Sequence, residues 1–386
     1  MLLLALGAAV AQAFGRFSYG VLLPAVRDDM GISNALAGLV GGANVGAYLL
    51  GTLFVAWATS RFRLLPVLRL GLLLATAGLL LASLAQSPQV LALALVVAGF
   101  GGACVWIPAP VLAADALPAA RRSLAVGLMG SGIGLGVASV SLISGSLRAS
   151  IGDQAWVDVY RAQGAIGLLV LVAVLLVVRH RQARPEGGAG LGGFGALRRM
   201  RGWGPFVIAY STFGFMYLLV LGFLTTRLED DSAWSSADAA SAFTVVGVSM
   251  IFGGPLFVTL AQRFGARAAA VLAFGAWPVL VGIVWTGIEV PTLMACAGLG
   301  LLFSGIPSLL TVYVVENTTA HSYGPSFAAA TLCFGVAQMI SPPIGGLLAD
   351  LTGSFTIVFL LAALMGIVGV MASLGLPRPD ARDEAR

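Results

Sequence analysis

The sequence predicts an all-α polytopic membrane protein, with 12 transmembrane helices in two pseudo-symmetric six-helix bundles. Three observations carry that expectation. Of 386 residues, 59% are hydrophobic and 10% charged, and the mean hydropathy is +0.98. The apolar residues fall into twelve runs, each near the roughly 20 residues a helix needs to cross a bilayer. A basic, glycine-rich segment separates the runs into two sets of six. At about 32 residues per span, almost nothing is left over for a soluble domain.

The first run, 2–25, raises the question of a signal peptide, because Ala11, Gln12 and Ala13 resemble a cleavage site. A positively charged leader segment is missing and the apolar sequence continues to about Ala25, so the run reads as the first span. Runs at about 34–58, 64–85, 89–114, 123–147 and 161–178 follow, each punctuated by Pro, Gly or charge. They complete an N-terminal bundle over 1–178. The segment 179–202 holds six arginines, one acid (Glu186) and the stretch GGAGLGG, the composition of a flexible basic linker. Runs at about 203–226, 238–261, 268–287, 291–315, 325–349 and 354–376 form a C-terminal bundle over 203–376, with a tail at 377–386. Pro24, Pro108, Pro110, Pro307, Pro342 and Pro343 are expected to bend helices, which membrane spans tolerate.

All 21 basic residues are arginine, which excludes a P-loop or a Schiff-base lysine. With the N-terminus in the cytoplasm, sixteen arginines lie on the inner side and four on the outer. This bias places both termini and the linker inside and explains the formal charge of +5 as a topology signal, so nucleic acid is not expected as a partner. Cys104, Cys296 and Cys333 lie far apart in apolar runs, and the only histidines are His180 and His321. No metal-ligand spacing results, and no metal or other cofactor is expected. No Ser/His/Asp, HExxH or paired-carboxylate constellation occurs either, so the chain does not read as an enzyme.

The two halves share an internal repeat. Phe14-Gly15 recurs as Phe213-Gly214, and Gly99, Gly101, Ile107 and Pro108 recur as Gly298, Gly300, Ile306 and Pro307, both at an offset of 199. Repeated halves matter because transporter sites form where they meet.

Six plus six spans, a central basic linker and cytoplasmic termini resemble the major facilitator superfamily over essentially the whole chain. LAQRFGAR (Leu260 to Arg267) resembles that family's cytoplasmic loop motif, with Gln262 where the acid usually stands; ATSRFR (Ala58 to Arg63) is a more degenerate copy. The resemblance implies a gate role for Arg263 and Arg267. GLMGSGIGLG (Gly127 to Gly136) is similar to the exporter motif but lacks its Gly-Pro pair. FGRFSYGVLLPAVRDDMG (Phe14 to Gly31) resembles the first span of the YbfB-like branch.

Arg16 is the strongest functional candidate, because a charge near the bilayer centre is costly and usually faces the bundle interior. Helical spacing puts Gln12 and Tyr19 on its face. At offset 199 it maps onto Phe215, so the charge belongs to one half only. No acid lies at mid-depth in the runs to neutralise it, which points to an anionic substrate as its partner. The competing reading is a structural arginine held by carbonyls and amide side chains. Asp115 and Glu316, at inner span ends, are candidates for coupling or gating, against the alternative of solvated carboxylates. The first and fourth spans of each half line the pathway in the resembled family. Trp106, Tyr210, Tyr217, Ser304, Ser308 and Thr311 are therefore further substrate candidates. Asn44 and Tyr48 in span two and Gln338 in span eleven join them, although such residues also serve ordinary helix contacts.

The sequence thus predicts a secondary active transporter of a small organic solute in a bacterial inner membrane, monomeric and working by alternating access. An organic anion on Arg16 leads, with protons or a counter-transported anion as coupling partners. Efflux of drug-like or amphipathic compounds is the alternative, and a membrane sensor or lipid-handling protein is the reading from another class.

Overall fold

The computed structural model describes residues 2–59, 61–115, 122–178 and 193–377, with the side chains of 114–128, 320 and 321 outside that description. Among the described residues, twelve helices are long and apolar enough to cross a membrane. They are α1 (Leu2–Met30), α2 (Asn34–Thr59), α3 (Leu64–Ala82), α4 (Pro88–Trp106 continued by Pro108–Asp115), α5 (Arg122–Ile151) and α6 (Ala155–Val177). The second set is α7 (Trp203–Asp231), α8 (Ser236–Phe264), α9 (Ala266–Trp285), α10 (Glu289–Glu316), α11 (Ala320–Thr352) and α12 (Thr356–Leu374). Among the described residues there is no strand.

Several helices outrun their apolar stretches. α1 reaches Met30, α6 begins at Ala155, and α7 continues through a π-helical turn, Arg227–Asp231. A helix satisfies its own backbone hydrogen bonds wherever it runs. Apolar content marks only the part of it that lies in hydrocarbon. Pro108 interrupts α4 just after Ile107, as a ring without an N–H would. The linker also departs from the expectation of a wholly flexible segment: Gly193–Arg199 is a short helix with Leu197 buried, packed on the start of α11. The apolar Leu197 inside the basic segment and the close approach of Gly193 to the Pro325 carbonyl are the cause, because a neighbouring helix covers that face.

The halves meet along two seams, α2 against α11 and α5 against α8. Both need backbone to approach backbone. A Cβ on Gly38 would lie 2.2 Å from the Pro342 carbonyl oxygen, and one on Gly247 would lie 2.7 Å from the Ala138 nitrogen. Small residues at helix contacts replace a hydrophobic driving force that lipid removes. The repeated glycines keep their type but exchange their neighbours. Gly99 packs on α2 and Gly101 on α3, whereas Gly298 packs on α9 and Gly300 on α8.

Candidate functional site

The site begins with a departure from α-helical geometry. Ala9–Phe17 of α1 is π-helical, and its widened turns leave carbonyls in need of donors. Ser18 Oγ donates to the Phe14 carbonyl at 2.6 Å, and Asn44 Nδ2 donates to the Gly15 carbonyl at 2.9 Å. The same Asn44 nitrogen donates to the Leu95 carbonyl at 2.7 Å, so one buried amide ties α1, α2 and α4 together. Asn44→Ala is expected to lower stability by about 1–3 kcal/mol, the cost of leaving buried carbonyls unpaired. Thermal unfolding of the purified variant reads that loss directly.

This local unwinding positions Arg16, which is half-buried at mid-depth. Its Nη2 donates to Gln338 Oε1 at 2.5 Å, and its Cζ sits 4.3 Å from the centre of the Tyr48 ring. Gln338 Nε2 in turn donates to the Tyr217 hydroxyl. The chain Tyr48, Arg16, Gln338, Tyr217 therefore crosses from α1 and α2 of one half to α7 and α11 of the other. Arg16 Nε is buried with no partner, and among the described residues no carboxylate lies within ion-pair distance of the guanidinium. A cation satisfied by one neutral amide and an aromatic face retains donors for an anion.

The other expected residues divide. Gln12 donates to the Gly102 carbonyl at 3.4 Å and also reaches towards Tyr48. Tyr19 gives its hydroxyl to the Ala37 carbonyl at 3.0 Å, in the first turn of α2 and about three turns along it from Tyr48. Tyr210 stacks on Phe334 at 4.6 Å, and Tyr217 on Phe213 at 5.0 Å, building an aromatic column beside the arginine chain. Ser304 donates to the Met250 carbonyl, while Ser308 and Thr311 donate back into their own helix. Ser304 thus joins α10 to α8, and none of the three hydroxyls is brought to Arg16. Trp106 lies part-buried at the break in α4. Arg263 and Glu316 are exposed and Arg267 half-buried, with no ion pair or hydrogen bond among the described residues. The Asp115 side chain lies outside the described residues.

Sequence reasoning missed a polar clasp at the opposite end of the bundle from Leu2, here the distal end. The π-turn closing α7 carries three consecutive acids. Glu229 accepts from Arg148 of α5 at 2.7 and 2.8 Å, and Asp230 pairs with Arg27 of α1. Asp231 accepts from Ser354 Oγ and the Phe355 N–H, each at 2.9 Å. Nearby, Asp350 of α11 accepts from the backbone N–H groups of Asn34 and Ala35 at 3.0 and 2.7 Å, an anion at the N-terminus of α2. Three of these contacts cross between halves, and the distal end is closed. The signal in the sequence was the acidic run Glu229-Asp230-Asp231 facing isolated arginines, which read only as topology.

Twelve spans in two packed halves, with an arginine chain crossing the seam, define a membrane transporter of the major facilitator type. Residues 8–374 match the family described as uncharacterised MFS-type transporter YbfB, and the chain belongs to that family. Human monocarboxylate transporter 11 is 27% identical over 347 residues, covering 83% of this chain and 70% of the relative. Monocarboxylate transporter 6, also human, is 26% identical over 63% of this chain, a match that spans about half of that relative (53%). Among solved structures, the fold is similar to a bacterial homologue of the human lysosomal transporter Spinster in an inward-facing, unoccupied conformation. That match has a TM-score of 0.75 at 16% identity and covers 97% of each chain. It is also similar to a D-xylose–proton symporter, with a TM-score of 0.74 at 17% identity over 97% of this chain and 95% of the other.

Proposed function

We propose that this protein is a secondary active transporter of a small organic carboxylate, carried across a bacterial inner membrane by alternating access of its two halves. The observation that carries the reading is Arg16. It is a mid-depth guanidinium shared between halves through Gln338, with no carboxylate partner among the described residues. Sites at the repeat interface near the midplane are where such transporters bind substrate. The names of the monocarboxylate transporter relatives agree with an anion of this kind. The symporter among the fold relatives suggests protons as the coupling ion. Export of amphipathic compounds is the second reading, favoured by the aromatic column of Tyr210, Phe334, Phe213 and Tyr217.

Purified protein in proteoliposomes is expected to accumulate a labelled carboxylate down an imposed pH gradient. Accumulation of none, together with drug export that survives Arg16→Gln, would favour the second reading. The arginine distribution also predicts that reporters fused after Arg201 are cytoplasmic and those at Asp231 periplasmic. With that orientation the clasped distal end is the outer one. A periplasmic signal after Arg201 would reverse that assignment.

A further inference from the structure

A cavity opens directly beyond Arg16 on its distal side, between α1, α2, α7 and α11. Its walls are mainly Leu23, Leu218, Leu221, Phe223 and Pro342. The polar groups that border it are largely committed. Tyr19 gives its hydroxyl to Ala37, and Asn44 gives its amide nitrogen to Gly15 and Leu95. Arg16 is its one cation, and the next arginine distally, Arg27, is paired with Asp230 and Asp28. An occupant anchored on the guanidinium therefore meets hydrocarbon on this side, where a second carboxylate or a row of hydroxyls would lose water without replacement.

We infer that the anion held by Arg16 is an amphipathic monoanion whose short apolar tail fills this cavity, an inference that rests on the Arg16 carboxylate reading. The cavity volume of about 30 Å³ is space for roughly two water-sized groups, so the tail is two or three carbons long. Gly222 sets its depth. It lines the cavity, and a Cβ built on it meets nothing within 4 Å, so a larger side chain narrows the space without displacing a neighbour.

The experiment measures competition against labelled butyrate on the detergent-purified full chain, using formate, acetate, propionate, butyrate, hexanoate and succinate. Affinity is expected to rise about fourfold per added methylene up to butyrate, the transfer of one CH2 from water, then fall at hexanoate, with succinate at least tenfold weaker than butyrate. Gly222→Val is expected to weaken butyrate at least tenfold and leave acetate within threefold. Gly222→Ala should fall between, and it serves as the test if the valine variant does not stay monodisperse. Affinity that is flat along the series, or a Gly222 substitution that weakens acetate and butyrate alike, overturns the tail assignment while leaving the anion site standing. A different result, in which no carboxylate competes and Arg16→Gln behaves as the parent, overturns both.

Discussion

Arg16→Gln is expected to abolish carboxylate binding while the protein still folds, inserts and melts close to the parent temperature. Truncating one partner of a desolvated, hydrogen-bonded charge pair costs about 2–5 kcal/mol of binding, a loss of about 30-fold to several thousand-fold. Stability should barely move. Among the described residues the guanidinium makes one hydrogen bond, to Gln338, and its Nε is already buried without a partner. A glutamine removes a charge from mid-depth, and that removal offsets the lost bond. Arg16→Lys keeps the charge but not the planar fork that meets two carboxylate oxygens, so weak residual binding is expected. The measurement is affinity and melting temperature on the same preparations. A large drop in melting temperature, with affinity intact in the folded fraction, would make Arg16 a structural residue.

The second large effect is expected at the clasp. Arg148 has a side chain only 4% exposed and Glu229 one 14% exposed, so their pair is nearly buried between the halves. Removing one member of a buried pair costs about 3–5 kcal/mol when the other charge is left uncompensated; Arg148 keeps Asp153 as a second partner, so Glu229→Gln costs less than that. Here the cost falls on the distally closed state alone, since only that state brings α5 to α7 in this way. Glu229→Gln should therefore shift the equilibrium towards distal opening by a factor of about ten or more. A cysteine at Ala37, buried beside the distal cavity, reports the change on a background in which Cys104, Cys296 and Cys333 are serine. Its labelling by a membrane-impermeant maleimide should accelerate at least tenfold in Glu229→Gln. The double variant Arg148→Gln with Glu229→Gln should lie nearer the parent than either single, because no lone charge remains. Asp153, the other partner of Arg148, is 44% exposed and can return to water. Labelling unchanged in all three would reduce the clasp to a surface ornament with no hold on the equilibrium.

Arg16 was legible in the sequence because a charge in an apolar run is rare, and its partner Gln338 was legible as a polar residue in span eleven. Their contact was not, since 322 positions separate them. Helical spacing placed Gln12 and Tyr19 together on the Arg16 face, but the π-helix alters that register. Gln12 stays near Tyr48, while the Tyr19 hydroxyl goes to Ala37. Nothing in AVAQAFGRF announces a π-helix, because its free carbonyls are satisfied partly by Asn44 on another helix. The clasp was hidden for a related reason. Arg27 and Arg148 entered a tally of loop charges, and a tally carries sign without carrying partners.

The amino-acid sequence by itself determined the membrane class, the twelve spans, the break between two sets of six and the candidacy of Arg16. All of these follow from hydrocarbon thickness and from the cost of polar groups within it, which act on each segment alone. Only the tertiary structure decided which side chains share the seam, which polar groups are committed to holding helices together, and that the acids closing α7 grip the opposite half. Those outcomes depend on backbones meeting at particular depths and rotations. In a bilayer these are set by close packing and hydrogen-bond satisfaction between helices, not by the apolarity of any one of them.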